Sequence, residues 1–389
     1  MEDFVFQAGT KYILQKDADK LCGREIRNYA DNVLFVHYGD VFIHSSGLYD
    51  RIKNALADEN IACFELPGVE PNPKVSLVRK GAELCKKEHI GCVLAVGGGS
   101  VIDTAKAVAL GAKYDGDVWD FFTKKAEVVD ALPIGAVMTM PATGSEGSTG
   151  AVITNAETAE TLDVMSDMLR PKFALMNPDI TLRIPKQQTI YGIIDMFSHV
   201  LERYFSSSVQ VALTDHLCEG VMRAILENSR RLLNNMTDYD IRAEFMWTAI
   251  VAHNGLLATG RNQDWATHTI GAQISATYNS VHGSTLSVLF PNWAAYVYKN
   301  HIDRFVQFAN RVFDVEINHY NPEETAVEGI RRLREFFTGL GGPAALKDIG
   351  VENDKHFEKM ADNACKFGNI GGLQSLGAGD VLAILKLSA

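Results

Sequence analysis

From the start of the chain to about Asn177, short continuous apolar runs alternate with stretches of helical periodicity. The runs are NVLFVHY (32–38), IACFELP (61–67), GCVLAVGGG (91–99) and LPIGAVMTMP (132–141). Such runs, rich in β-branched residues, suit strands buried on both faces, and their alternation with helices predicts a parallel sheet with helical crossovers. After Ile184-Pro185 the pattern changes. QQTIYGIIDMFSHVLERYF (187–205), VALTDHLCEGVMRAILENSRRLL (211–233) and YDIRAEFMWTAIVAHNGLLA (239–258) read as long helices, with few strand candidates between them. The expected fold is an α/β N-terminal domain with a Rossmann-like parallel sheet (1–182), followed by an all-α C-terminal domain (183–389). The boundary falls in MNPDITLRIP, whose two prolines resist helix continuation.

Composition narrows the function. The chain has 389 residues and a formal net charge of −11, from 48 Asp and Glu against 37 Lys and Arg. No dense basic run could follow a phosphate backbone, so nucleic acid is not an expected partner. The six cysteines are scattered without CxxC pairs and read as thiols in a reducing compartment. The N-terminal MEDFVFQAGTKYIL lacks a basic region followed by an apolar stretch, and no apolar run is long enough for a membrane. Together these absences predict a cytoplasmic protein.

The clearest local motif is VLAV, then Gly97-Gly98-Gly99-Ser100, then VIDTAK: a buried strand, a glycine turn and a helix start. Glycines let a pyrophosphate approach the backbone, and the amides and dipole of a helix N-terminus stabilise its charge. The run matches neither GxGxxG nor the P-loop pattern, and three glycines would also serve a tight connection. A second turn, PATGSE (141–146), follows the next apolar run and adds small and hydroxyl side chains. Upstream, Tyr38-Gly39-Asp40 ends an early strand, where Asp40 could accept from ribose hydroxyls or serve as an ordinary turn residue.

Asp195 and His199 are four residues apart in GIIDMFSHVLERYF, hence on one face of a helix, with Glu202 three residues further on as a partner for a ligand. His268 and His282 follow in WATHTIGAQISATYNSVHG. Fourteen residues is close to four helical turns; alternatively, a helix ending near Asn279-Ser280 would put His282 in the next turn, folded back to the same ion. One carboxylate and three imidazoles suit Fe²⁺ or Zn²⁺ with a position open for a substrate oxygen. His216, His253 and His301 lack comparable partners and read as structural or exposed.

Taken in order, SGLYDRI, GVEPNPKVSLVRKG, GGGSVIDTAKAVA, PATGSE, PKFALMNPDITLRIP, DMFSHVLERYF, DWATH, HGSTLSVLFPNW and DVLAILKL resemble the iron-containing alcohol dehydrogenase family, most closely its butanol dehydrogenase-like branch. The resemblance covers essentially the whole chain. It implies the dehydroquinate synthase-like two-domain fold and metal ligands at Asp195, His199, His268 and His282. It also implies a pyrophosphate site at Gly97 to Ser100, with Asp103, Thr139, Thr143 and Leu182 near the cofactor. Homodimers are common among similar proteins. The implied activity is NAD(P)-linked oxidation of primary alcohols or reduction of short aldehydes. A glycerol-type polyol dehydrogenase, a non-redox lyase or a catalytically impaired relative on the same scaffold are the alternatives.

Three positions depart from that branch. Ala272-Gln273 stand where similar proteins usually carry His-Glu, Thr161 stands where a lysine is common, and Asp40 replaces a glycine of the NADP-using pattern YGGGS. With an acid at 40 and no lysine at 161, little is left to neutralise a 2′-phosphate, so NAD is expected over NADP.

Overall fold

The computed structural model describes residues 1–39, 41–158 and 160–389. Among these residues eight strands form: β1 (Lys11–Leu14), β2 (Asn32–His37), β3 (Ala62–Leu66), β4 (Cys92–Gly97), β5 (Ile134–Met138), β6 (Gly150–Asn155), β7 (Glu160–Met165) and β8 (Phe173–Met176). Six of them make one parallel sheet in the order β1-β8-β5-β4-β2-β3, and β6 and β7 pair separately as an antiparallel ribbon. All four strands expected from the apolar runs are in the large sheet.

Alternate side chains of the central strands point into two separate cores. Leu34, Val36, Val93, Ala95 and Ala136 pack against helices Val75–Lys87 and Gly99–Gly111. Val33, Phe35, Leu94, Val96 and Val137 pack on the other face, against Leu48, Ile52 and Leu56 of helix Leu48–Asp58. Burial on both faces is why these strands read as continuous apolar runs rather than as alternating ones.

The register sets Phe35, Leu94, Gly135 and Phe173 in one row across four strands. The Phe173 ring takes the space that a side chain at 135 would need: a Cβ there would lie 2.1 Å from Cζ. Gly135→Ala is therefore expected to destabilise the fold by about 1–3 kcal/mol through overpacking. A melting curve measures the loss, and an unchanged midpoint would show that the ring has room to move.

The chain divides into two compact units. One comprises Gln7–Ile184 and Met236–Asn254; the other comprises Met1–Phe6, Pro185–Asn235 and Gly255–Ala389. The expected change at 182/183 lies two residues before the observed one at Ile184/Pro185. Helix Tyr239–His253, read from sequence as part of the helical half, belongs to the unit with the sheet. There Met246 and Ile250 close an apolar cluster with Met138 and Met176, the last residues of β5 and β8, and Tyr12 packs against it.

Within the other unit, helix Lys186–Tyr204 is buried along almost its whole second half. Just beyond its end, Phe205 stacks on Phe305 at 4.5 Å and meets Trp293 edge-on at 5.4 Å. Aromatic burial of this kind makes a stiff base for the side chains this helix carries. Among the described residues no helix is long and apolar enough to cross a membrane.

Candidate metal centre and cofactor turns

Asp195 and His199 lie one turn apart on helix Lys186–Tyr204, and both are buried. Helix Ala266–Tyr278 carries His268 and stops where Asn279 takes a left-handed φ of 54°. His282 then begins helix His282–Val297, so His268 and His282 do not share one straight helix. Gly283 fixes that helix start close to its neighbour, because a Cβ at 283 would lie 2.3 Å from the carbonyl oxygen of Tyr191.

Asp195 Oδ1 is the common vertex of the cluster. It lies 3.7 Å from His199 Nδ1, 3.7 Å from His268 Nε2 and 3.6 Å from His282 Nε2. Ligand atoms of Asp195, His268 and His282 all fall within 4.8 Å of one another. His199 flanks this group, its ring stacked 4.6 Å from that of His268. An ion with bonds of about 2.1 Å to tetrahedral donors sets those donors roughly 3.4 Å apart, close to the spacing seen. Asp195 Oδ1 and His268 Nε2 are buried and have no hydrogen-bond partner. Buried polar atoms are rarely left so, and a shared cation satisfies both at once. The residues present therefore fit a divalent ion. His282 is the most accessible member, with 35% of its side chain exposed, and leaves one side of the cluster open.

Glu202 organises His268. The carboxylate, itself wholly buried, accepts from His268 Nδ1 at 2.7 Å, from the His268 backbone N–H at 3.1 Å and from the Thr267 hydroxyl at 2.5 Å. Its second oxygen accepts from the Trp265 N–H at 2.7 Å. One side chain thus satisfies the amides of Trp265, just before helix Ala266–Tyr278, and of His268 in its first turn, and holds the proton of His268 on Nδ1, which leaves Nε2 to face Asp195. Trp265 has a left-handed φ of 65°, which is how its N–H comes to face Glu202. Its indole lies between the Arg203 guanidinium, 4.7 Å from the ring centroid, and the His268 ring, 5.0 Å away. Burial opposes a charge on His268, but Asp195 and Glu202 outweigh it and raise its pKa. In the sequence, Glu202 stands out by its place three residues past His199; Trp265 carries no such signal.

In the other unit, the C-terminal ends of the parallel strands carry the two candidate turns. The chain runs outward from β2 to β3 and, on the other side, from β4 through β5 to β8, so the order reverses between β2 and β4. Ligands of open α/β sheets bind at such a point. Gly97 ends β4, Gly98 precedes the helix in an extended conformation, and Gly99 and Ser100 open helix Gly99–Gly111. Gly97 and Gly99 lack side chains because the chain fills the space. A Cβ would lie 2.3 Å from Val101 at the first and 2.6 Å from Thr143 at the second. At Gly98 a Cβ would lie 3.3 Å from the Tyr38 hydroxyl and 3.6 Å from Met140, a looser fit than at its two neighbours.

Thr139 follows β5 and donates its N–H to the Gly97 carbonyl at 3.1 Å. Thr143 lies against Gly99, and its carbonyl accepts from His253 Nδ1 at 2.6 Å, so His253, read from the sequence as structural or exposed, holds the second turn. No local pattern could link residues 110 positions apart. Leu182 is half-buried at the end of the short helix Pro178–Thr181. Asp103 accepts from Ser145 Oγ at 2.6 Å and from the Val152 N–H at 3.0 Å, so its carboxylate is engaged within the chain. Asp40 lies outside the described residues. Thr161 shares a buried hydrogen bond of 2.9 Å with Thr154 across β6 and β7, and contributes no cation there.

Residues 9–178 match the iron-containing alcohol dehydrogenase family, and residues 189–389 match the C-terminal region of Fe-containing alcohol dehydrogenases. A probable NADH-dependent butanol dehydrogenase 1 of Bacillus subtilis (strain 168) is 44% identical over the full length of both chains. An NADPH-dependent aldehyde reductase of Escherichia coli (strain K12) is 32% identical over 90% of each. The crystal structure of an NADH-dependent butanol dehydrogenase A from Thermotoga maritima superposes with a TM-score of 0.95 at 39% identity, covering 100% of this chain and 99% of that one. With the fold, the clustered carboxylate and imidazoles and full-length relatives in agreement, the chain belongs to the iron-containing alcohol dehydrogenase family.

Proposed function

We propose that this alcohol dehydrogenase/aldehyde reductase interconverts primary alcohols and short aldehydes, with NADH preferred to NADPH and with a divalent iron or zinc ion held by Asp195, His199, His268 and His282. The observation that carries the reading is the single carboxylate oxygen of Asp195 standing 3.6 to 3.7 Å from a nitrogen of each of three imidazoles. When bound, such an ion supplies Lewis acidity toward a substrate oxygen.

The chain's own residues set the conditions. Glu202 keeps His268 in the tautomer that faces Asp195. Gly98 keeps the backbone bare where a pyrophosphate would approach, and the amides opening helix Gly99–Gly111 offer it donors and the positive end of a helix dipole. Ala272, one turn beyond His268, has no group that can carry a proton, so this position supplies neither a general acid nor a general base.

The preference for NADH is supported by relatives of 38 to 44% identity named NADH-dependent, against 32% for the one named NADPH-dependent. The buried Thr154–Thr161 pair, where a lysine would otherwise stand, points the same way. Six free cysteines suit a reducing cytoplasm, and the homodimer is the arrangement common among similar proteins.

The test is oxidation of NADH and of NADPH with butanal by protein purified anaerobically and loaded with Fe²⁺ or Zn²⁺. The expected result is chelator-sensitive turnover with a kcat/KM at least about tenfold higher for NADH, or about 1.4 kcal/mol of discrimination. A higher value with NADPH would overturn the cofactor preference, and turnover indifferent to chelation would overturn the metal assignment.

A further inference from the structure

Lys106 is fully buried, yet neither of the candidate sites uses its charge. Its ammonium donates to Gly150 O at 2.7 Å, Ser145 Oγ and Ser148 O at 3.0 Å and, as a fourth contact, Ser148 Oγ at 3.1 Å. Asp103 lies three residues earlier, on the same face of helix Gly99–Gly111, and takes Ser145 Oγ and the Val152 N–H. Between them, these two side chains bind the whole stretch from Ser145 to Val152 to the helix that rises from the glycine turn. That stretch leaves directly from the second turn, whose Thr143 already lies against Gly99. Burying an ammonium is costly unless all its protons are placed, and a packed apolar side chain would hold a helix to a loop without that cost. What the charge adds is directionality: it sets where four backbone or hydroxyl oxygens point, and with them the distance between the two turns.

We propose that Lys106, seconded by Asp103, is a positioning residue for the dinucleotide, fixing the PATGSE turn relative to the Gly97–Ser100 turn so that both meet the cofactor in one geometry. The inference rests on the reading that the dinucleotide binds at these turns. Lys106 itself touches none of the cofactor; it acts through Ser145, Ser148 and Gly150.

The groups facing Lys106 come from several elements: Asp103 from its own helix, Glu146 from the turn Ser145–Gly147, Arg170 from the segment before β8, and Tyr12, beside Glu146, from β1. Burial pulls the ammonium down to about 8, with Asp103 and Glu146 opposing and Arg170 assisting. Burial likewise lifts the Glu146 carboxyl to about 7 and raises Tyr12. Between roughly pH 7.5 and 9.5 Lys106 passes from protonated and fully engaged to losing a donor, while its neighbour Glu146 completes its ionisation at the lower end of the same range.

The experiment measures NADH binding by fluorescence enhancement on metal-loaded wild type and Lys106→Met, together with metal content, melting temperature and steady-state kinetics. The expected result is a Kd for NADH raised about tenfold or more in Lys106→Met, with metal content unchanged and kcat at saturating NADH within about threefold of wild type. The wild-type Kd should also rise several-fold across that pH window, and the variant's should not. If Lys106→Met does not fold, Ser145→Ala replaces it, with about a threefold loss of NADH affinity expected. A folded variant that binds NADH as tightly as wild type, or a wild-type Kd flat with pH, overturns the inference. Wild type that binds no NADH overturns the reading of the turns themselves, and the inference with it.

Discussion

Asp195→Ala is expected to lower aldehyde reduction by about a thousandfold or more and to abolish metal binding at the proposed site. Of the four candidate ligands, Asp195 is the one whose oxygen neighbours all the others, so its removal leaves three imidazoles with no anion among them. A divalent ion contributes several kcal/mol at a developing oxyanion, and each 1.4 kcal/mol is a factor of ten in rate, which sets the scale of the loss. Elemental analysis and steady-state kinetics on the same preparation check both halves of the expectation. A variant that keeps stoichiometric metal and near-normal turnover would place the ion elsewhere. A variant without metal that retains turnover would remove the ion from the chemistry altogether.

Glu202→Gln produces a different signature. The new amide cannot accept from the Trp265 N–H, the Thr267 hydroxyl and both His268 donors together, because one of its two ends now donates. With its oxygen toward His268 the amide leaves the Trp265 N–H unpaired, and turned the other way it frees His268 Nδ1; in both orientations the bond to His268 loses the carboxylate's charge, and metal affinity is expected to fall about 10- to 100-fold. Helix Ala266–Tyr278 also loses part of the satisfaction of its first turn, at about 1–3 kcal/mol for a buried donor left unpaired. Titration with a competing chelator gives the affinity, and thermal melting gives the stability. At saturating metal, kcat should return to within a few-fold of wild type, since Glu202 orients a ligand and is not one. Failure to recover would mean that the carboxylate does more than orient.

Much of this arrangement was legible in the residues. Three of the four expected strands, β2, β4 and β5, are apolar along almost their whole length because both faces are buried, and that leaves a plain mark in a sequence. Asp195, His199 and Glu202 announce themselves by helical spacing, His268 and His282 by their fourteen-residue separation, and His282 also by the helix stop near Asn279 just before it. What could not be read depends on partners far away in the chain. Helix Tyr239–His253 shows the same periodicity whichever core receives it, so nothing local assigns it to Met138 and Met176. The β6–β7 ribbon escaped notice because its strands are only partly apolar and pair with each other outside the main sheet. Lys106 lies in plain view in VIDTAK, but a lysine in a helix ordinarily signals solvent, and only the four oxygens around it reveal otherwise.

The detour of helix Tyr239–His253 has a consequence for how the polypeptide is made. When Ile184 leaves the ribosome, every strand of the sheet has been synthesised, but the helix that covers Met138 and Met176 at the ends of β5 and β8 has not. At about 5–20 residues per second, those methionines wait several seconds for Met246 and Ile250 to emerge. The nascent chain therefore carries a bare apolar spot through the synthesis of two long helices, Lys186–Tyr204 and Ala212–Asn234, that belong elsewhere. Truncation at the apparent domain boundary would make that transient exposure permanent.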